Sequence, residues 1–132
     1  MQKKDCLFCK IERKEAPAEI VYEDELCYAI MDLFPAGYGH VLVIPREHYE
    51  NYMETEDETL GHLLKVAKMI AHAQEKTFNN EGNRIVINCK EVGGQKVFHT
   101  HVHVIPKYAS EISINKETLN IQSKKMRDTL KQ

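Results

Sequence analysis

The chain has 132 residues, 42% of them hydrophobic and 29% charged, which suits one globular domain with a full hydrophobic core. Its formal net charge is −2 at pH 7, so we expect neither a nucleic-acid partner nor an anionic membrane surface as partner, since both require a concentrated basic patch. The sequence carries no signal-peptide-like or membrane-spanning apolar run, which predicts a cytoplasmic protein whose four cysteines are thiols or metal ligands.

The first third of the chain predicts one short helix followed by three strands. Residues 5–15 form the helix, with Asp5 as its N-cap. Two short strands follow at about 20–23 and 27–32, joined by a tight acidic turn. After a loop rich in glycine and proline, the β-branched run "HVLVIP" predicts a third strand that ends at Pro45.

The longest helix is predicted at residues 55–78. Thr55 and Glu58 have the spacing of a capping box, in which each side chain bonds the backbone N–H of the other. Apolar residues recur at helical spacing and predict the buried side, which comprises Leu60, Leu63, Leu64, Ala67, Ile70 and Ala71.

The remainder of the chain predicts two more strands and a helix. Strands are expected at 82–90 and 97–106, separated by the glycine loop 91–96. The C-terminal segment predicts a helix whose apolar residues are roughly in phase, namely Leu119, Met126 and Leu130.

Five strands joined mostly by short turns predict an α+β fold. We expect a five-stranded antiparallel sheet with one long helix and short N- and C-terminal helices. The predicted organisation is one domain at residues 1–107. Residues 108–132 are predicted to be a partly helical extension packed on the same domain.

The segment "HTHVHVIP" places a histidine at every second position. Side chains alternate between the two faces of a strand, so His99, His101 and His103 share one face. Three interpretations compete: a metal site, a catalytic imidazole with phosphate-binding neighbours, or surface histidines, as expected for His62 and His72. One metal ion cannot easily bind all three, because the outer pair begins roughly 13 Å apart on a straight strand.

Three segments resemble the histidine triad family of nucleotide hydrolases and transferases. The most specific is "GGQKVFHTHVHVIP", which contains the His-x-His-x-His signature followed by apolar residues. The segments "DLFPAGYGHVLVIPREH" and "CLFCKIERKEAPAEIVYEDE" are similar to the family's nucleotide-binding segment and to its N-terminal helix and first strand. Together they span residues 6–107 in matching order.

The resemblance implies a catalytic set of four residues. His101 would attack the α-phosphate of a nucleotide, because a neutral imidazole is a good nucleophile toward phosphorus. His103, the Gln95 side chain and the Val97 backbone N–H would hold the phosphoryl oxygens where charge develops. His40 would orient the histidine cluster from behind.

The resemblance also implies a binding site for a purine nucleotide of the AMP type. Asp32 would accept both ribose hydroxyls, and Asn88 would position the ribose and phosphate. The apolar slot for the base would consist of Phe8, Ile11 and Leu33. Lys96 departs from the family pattern, since many members carry a small hydroxyl residue there. Its ammonium group either supplies positive charge that favours a polyphosphate leaving group or simply faces solvent.

Cys6-x-x-Cys9 places two sulfur atoms on one face of the first helix. Some bacterial members of the family bind zinc through such a pair, a histidine after the "VIP" strand and the first triad histidine, which here are His48 and His99. The resemblance thus implies a structural zinc site of two cysteines and two histidines. The alternative is a pair of buried thiols.

The expected function is hydrolysis of nucleotidyl phosphoramidates or dinucleoside polyphosphates through a covalent His101 intermediate, with release of AMP or another nucleoside monophosphate. Family members commonly form homodimers, and the apolar strand "RIVINC" is typical of a strand whose edge is covered. Two alternatives remain open. One is a non-catalytic purine-nucleotide sensor or adaptor, and the other is a zinc-dependent hydrolase that uses the histidines as a catalytic metal site.

Overall fold

A computed structural model of the chain describes residues 3–109 and 117–131. These residues form three α-helices and five strands, in the order α1 (Leu7–Glu12), β1 (Ile20–Glu23), β2 (Cys27–Met31), β3 (Val41–Pro45), α2 (Asp57–Phe78), β4 (Gly82–Val86), β5 (Val102–Lys107) and α3 (Leu119–Leu130). Single 3₁₀ turns occur at Tyr52–Glu54 and Glu91–Gly93.

The strands form one sheet in the spatial order β1-β2-β3-β5-β4, and all neighbouring strands are antiparallel. This arrangement confirms the predicted α+β fold with a five-stranded antiparallel sheet. The strand β5 lies between β3 and the edge strand β4. Leu42 of β3 and Val86 of β4 both pair with His103 of β5, so the last triad histidine has a strand on each side.

The two faces of the sheet are covered by different elements because side chains alternate along each strand. One face packs under α2 and α3 and forms the main core, which includes Ala29, Met31, Val41, Val43, Val102, Val104, Leu63, Ala67, Ile70 and Met126. The other face presents Tyr28, Ile30, Leu42 and Ile44, which pack with Phe8 and Ile11 of α1. The short helix α1 covers only part of this second face and leaves room for a cavity.

The strand predicted at 97–106 begins later, at Val102. The prediction was wrong for residues 97–101 because their backbone has no regular strand partner. Instead, the His99 N–H donates to the Val97 carbonyl, and the Thr100 N–H donates to the Tyr49 carbonyl. The first two triad histidines therefore lie on an irregular, bent segment that leads into the strand.

Both predicted helix starts were wrong by one or two residues. The N-cap of α1 is Cys6 rather than Asp5, and the Cys6 sulfur accepts a hydrogen bond from the Cys9 N–H. Helix α2 begins at Asp57 without a side-chain cap, so the predicted capping box is absent. Its Thr55 hydroxyl is engaged elsewhere, 2.8 Å from the Thr100 hydroxyl.

The buried side of α2 is rotated relative to the predicted one. Leu63, Ala67 and Ile70 are buried as expected, but Leu64 is exposed. Packing of α2 against the sheet also buries four residues that were not predicted to be buried, namely Val66, Ala73, Gln74 and Phe78. Gln74 is tolerated in the core because its side-chain amide donates to two carbonyl oxygens, those of Gly39 and Val104.

The C-terminal helix α3 forms at the position that the apolar spacing predicted. Thr118 caps it by accepting a hydrogen bond from the Ile121 N–H, and Met126 is fully buried in the main core. Residues 110–116 of the predicted extension lie outside the described residues, and the division at residue 107 stays a prediction. In the described part of the chain, no helix combines the length and apolar character needed to span a membrane.

Candidate active site

A cavity of about 580 Å³ lies on the sheet face that α1 covers only partly. It crosses the sheet from the end of β2, over β3 and β5, to the edge strand β4. Its floor is polar in the middle, where His40, His101 and His103 lie, and apolar toward α1. The residues predicted to bind a nucleotide that line this cavity are Phe8, Ile11, Asp32, Leu33, Asn88, Lys96, Val97, His101 and His103.

His101 is held by one hydrogen bond that determines which of its nitrogens carries hydrogen. Its Nδ1 atom lies 2.7 Å from the His99 carbonyl oxygen, and a carbonyl can only accept, so Nδ1 is the protonated nitrogen. Burial lowers the pKa of His101 to about 4. The imidazole is consequently neutral near pH 7, with an unprotonated Nε2.

His103 is oriented by a short chain of hydrogen bonds. The Ala36 N–H donates to Nδ1 of His40, which leaves the hydrogen of a neutral His40 on Nε2. That Nε2 atom lies 3.0 Å from Nδ1 of His103. Burial lowers the pKa of both histidines, so the neutral His103 accepts at Nδ1 and carries its own hydrogen on Nε2.

Asp32 follows β2 at the opposite end of the cavity from β4. One carboxylate oxygen accepts a hydrogen bond from the Phe34 N–H at 2.9 Å. The other lies 3.4 Å from Nε2 of His40 and retains free acceptor capacity, since a carboxylate oxygen has two lone pairs. Leu33, next to it, is 57% exposed and borders the cavity mouth.

Gln95 differs from the other predicted site residues, because its side chain does not line the cavity. Its carbonyl oxygen accepts from the Lys90 N–H at 2.7 Å, and its amide donates to the carbonyls of Glu50 and Val97. Gln95 is therefore a buried structural residue whose hydrogen bonds connect the glycine loop with the segment before α2. The predicted contact of this side chain with phosphoryl oxygens is not available in this arrangement.

A second cluster lies beside the triad, where α1 meets the end of β3. Its four donor atoms come from Cys6, Cys9, His48 and His99 and lie within 4.8 Å of one another. The Cys6 sulfur is 3.2 Å from Nδ1 of His99, and the Cys9 sulfur is 3.4 Å from Nδ1 of His48. These four residues could hold a metal ion.

The outer nitrogens of both histidines in this cluster face acceptors. Nε2 of His99 lies 2.8 Å from the Pro45 carbonyl, and Nε2 of His48 lies 3.3 Å from the Glu50 carboxylate. Both Nδ1 atoms thus present lone pairs when the rings are neutral, although they are only 3.1 Å apart. Two lone pairs at this distance repel unless a cation or a proton lies between them.

Ligand-capable atoms of Asp32, His40 and His103 also lie within 4.8 Å of one another. Hydrogen bonds within the group account for their positions, because the His40 Nε2–H already points to His103 Nδ1. A catalytic metal at this position would require the loss of that hydrogen bond.

Sequence reasoning missed two polar features. Arg84 of β4 lines the cavity. Side-chain alternation could have indicated it, since Arg84 and Asn88 are four residues apart on the strand predicted at 82–90, although β4 itself ends at Val86. His62 was expected to be a surface histidine, but its Nε2 lies 2.7 Å from the Asp24 carboxylate. No local sequence pattern connects these two residues, which are 38 positions apart.

Comparisons with known proteins identify the family to which the chain belongs. The family model of the HIT domain matches residues 13–110. The chain is 42% identical over 106 residues to an uncharacterized HIT-like protein of Methanocaldococcus jannaschii, covering 80% of this chain and 81% of that protein. It is 34% identical over 122 residues to the adenylylsulfatase HINT3 of Arabidopsis thaliana, covering 92% of this chain and 62% of that protein.

Solved structures are also similar. A hypothetical histidine triad nucleotide-binding protein from Sulfolobus tokodaii superposes with a TM-score of 0.89 at 34% identity, covering 96% of this chain and 92% of that one. A zinc-bound histidine triad family protein from Mycobacterium smegmatis also has a TM-score of 0.89, at 33% identity, covering 96% and 94%. From the family match, the relatives and the shared fold, we conclude that this chain belongs to the HIT, or histidine triad, domain family.

Proposed function

We propose that the protein is a nucleotide hydrolase that acts through a covalent nucleotidyl intermediate on His101. One observation carries the proposal: the His101 Nδ1–H is directed at the His99 carbonyl, so the nucleophilic nitrogen of a neutral imidazole is Nε2. His101 lines the cavity together with His103, whose own hydrogen is on Nε2.

The proposed reaction has two displacements at phosphorus. In the first, Nε2 of His101 forms a bond to the α-phosphorus, and the bond to the leaving group breaks with its electron pair going to that group. In the second, a water oxygen bonds to phosphorus, the P–Nε2 bond breaks, and its electron pair returns to His101. The water proton passes to solvent, and a nucleoside monophosphate is released.

The cavity lining supports a nucleotide as the substrate. The apolar side chains of Phe8 and Ile11 pack in one cluster with Ile30, two residues before Asp32, which suits a base next to ribose hydroxyls. In this arrangement, His103 donates to a phosphoryl oxygen as charge develops, and Val97 and Asn88 border the phosphate. The predicted preference for a purine nucleotide of the AMP type belongs to this proposal.

His40 and Gln95 serve as positioning residues in this proposal. His40 holds His103 in the tautomer that donates toward substrate. Gln95 fixes the glycine loop through three backbone hydrogen bonds.

We further propose that Cys6, Cys9, His48 and His99 hold a structural zinc ion. The donor set fits, because two sulfurs and two imidazole nitrogens suit a closed tetrahedral zinc site. The donor atoms of such a site lie about 3.3–3.8 Å apart. Four of the six separations here are 3.1–3.6 Å, and all six are within 4.8 Å. When bound, the ion would link α1 to the segment that carries the triad and supply folding energy rather than chemistry.

We also propose a homodimer that pairs through the β4 edge. In the single chain, Asn83, Arg84 and Ile85 of this strand are exposed. Ile85 and the exposed Leu64 of α2 border one shallow groove on the helix-covered side of the sheet. An edge strand whose backbone has no strand partner on one side is a ready template for pairing with a second copy.

A turnover screen of the purified full chain tests the function. We expect release of AMP from an adenosine phosphoramidate, a dinucleoside polyphosphate or adenylyl sulfate, and a trapped intermediate on His101 after rapid acid quenching. Nucleotide binding without turnover of any of the three would instead favour a sensor or adaptor. Rapid loss of activity on addition of a chelator, with the fold and the bound structural metal intact, would favour the metal-dependent alternative.

A further inference from the structure

The cavity continues past the triad to the edge strand β4, where two cationic side chains line it. Val86 of β4 pairs with His103 of β5. Arg84 pairs with Ile105, which lies two residues after His103 on the same face of β5. Lys96 reaches this side of the cavity from the glycine loop. Asn83 and Ile85 face the helix-covered side of the sheet. A dimer that buries Ile85 therefore leaves the Arg84 side chain directed at the cavity.

The charges of the cavity are unevenly distributed. Of its described lining residues, Asp32 carries the negative charge at the β2 end, whereas Arg84 and Lys96 carry positive charges on the β4 side. Three strand spacings, or about 14 Å, separate β2 from β4, and the Asp32 carboxylate reaches toward β5, to within 4.8 Å of a ring nitrogen of His103. Within the described part of the chain, neither cationic side chain has a hydrogen-bonding or ion-pair partner, and both are exposed to solvent in the cavity.

The proposed function fixes the direction in which a substrate lies, and the inference rests on it. With the ribose at Asp32 and the α-phosphorus at His101, the group beyond phosphorus extends away from β2. The cavity on that side is lined by Arg84, Asn88 and Lys96. The leaving group therefore enters the part of the cavity that carries the two positive charges.

We propose that Arg84 and Lys96 form an anion subsite that selects substrates whose leaving group is a phosphate or sulfate oxyanion over those whose leaving group is an amine. An oxyanion departs with the electron pair of the broken P–O bond and needs no proton, and two nearby cations stabilise its charge. An amine leaving group gains nothing from these cations and must receive a proton as it departs. An arginine also binds tetrahedral oxyanions in a two-pronged geometry.

Kinetics on the full chain with three adenylyl substrates test the subsite. They are adenosine 5′-phosphoramidate, diadenosine tetraphosphate and adenylyl sulfate. Because these compounds differ in intrinsic reactivity, the informative quantity is the ratio of kcat/KM for each oxyanion substrate to that for the phosphoramidate. We expect Arg84→Gln and Lys96→Gln each to lower this ratio roughly tenfold, as for loss of a charge-assisted hydrogen bond.

The matched control is Lys65→Gln, which removes a positive charge from the exposed side of α2 and should leave the ratio within twofold. A fall for the tetraphosphate alone would identify a polyphosphate leaving group, and a fall for the sulfate alone would identify a sulfate. An unchanged ratio for both substrates in both variants overturns the subsite while leaving the proposed hydrolase intact.

A binding measurement tests the subsite even if the protein turns over none of the substrates. ATP carries its β- and γ-phosphates where the leaving group would lie, whereas AMP ends at the α-phosphate. Calorimetry on the wild-type chain should give at least tenfold tighter binding of ATP than of AMP, and Arg84→Gln with Lys96→Gln should remove most of that difference. Equal affinities for ATP and AMP in the wild-type chain would overturn the subsite, whatever the kinetics show.

Discussion

Nε2 of His40 lies 3.0 Å from Nδ1 of His103, which makes the two residues consecutive members of one hydrogen-bond chain that begins at the Ala36 N–H. This contact determines which nitrogen of His103 carries hydrogen in the neutral ring. It also joins β3 to β5 across the floor of the cavity. The triad geometry thus depends on a histidine about sixty residues away in the chain.

Replacement of His103 should slow the chemical step without preventing binding. In the proposed reaction, His103 donates to an oxygen whose charge grows in the transition state. Loss of one such donor reduces kcat by about 10²–10³-fold. We expect this effect for His103→Ala in steady-state kinetics, with a smaller loss for His40→Asn, which acts only through His103. Equal kcat values for wild type and His103→Ala would remove this residue from the chemistry.

His101→Asn should abolish turnover but leave nucleotide affinity within about tenfold, because a covalent nucleophile acts mainly on kcat. Kinetics and calorimetry with AMP measure the two quantities separately. The control is His72→Asn on α2, which lies outside the active-site cavity in the groove next to Ile85 and should retain wild-type turnover if the protein stays dimeric by light scattering. If His101→Asn retained more than a few per cent of wild-type turnover, the nucleophile would be another residue.

Purified protein should contain about one zinc ion per chain when no metal has been added. Elemental analysis measures the metal content, and Cys9→Ser should lower it strongly, together with the melting temperature, because zinc binding supplies folding free energy. Cys89→Ser is the matched control, since Cys89 lies outside the four-residue cluster. Metal-free, fully stable wild-type protein would show that the cluster consists of thiols and imidazoles alone.

The oligomeric state should depend on Ile85, which is 42% exposed on the edge strand β4. Light scattering of the wild type at micromolar concentration should give about twice the chain mass of 15.3 kDa. Ile85→Lys should give the monomer mass, because a charge on the edge strand opposes pairing. Met53→Lys introduces the same charge at another exposed apolar position and should leave the dimer intact. A monomeric wild type would contradict the proposal.

Asp24 should make stability depend on pH in the acid range. Burial alone would raise the pKa of its carboxyl, but hydrogen bonds from His62 and the backbone N–H groups of Leu26 and Cys27 outweigh burial and lower it. A carboxyl whose pKa is lower in the folded than in the unfolded state stabilises the fold above its unfolded value of about 3.9. This contribution is lost as the pH falls from there toward the folded pKa.

Thermal unfolding between pH 2.5 and 7 tests this linkage. Asp24→Asn should lower the melting temperature by roughly 5 °C at pH 7, and this difference should shrink below pH 4. Glu25→Gln, at the neighbouring exposed position, should change little at any pH. A difference between wild type and Asp24→Asn that stays constant down to pH 2.5 would exclude the linkage.

The sequence alone predicted the fold class and every polar side chain that lines the cavity except Arg84. Alternation along the strands predicted which side chains share a face, and the spacing of His99, His101 and His103 identified the segment that leads into β5. Cys6 and Cys9 were paired with His48 and His99 by resemblance to the family, and in the structure their donor atoms converge. These features depend on local periodicity and on motifs, both of which a sequence records directly.

The tertiary structure decided what depends on contacts between distant segments. The Gln95 side chain does not line the cavity because its amide forms hydrogen bonds with three backbone groups from two loops. The tautomer of His103 follows from His40, and the charged end of the cavity exists because β5 places Arg84 of the edge strand beside the triad. A hydrogen bond between residues far apart in sequence leaves no periodic signal, so only the folded chain reveals it.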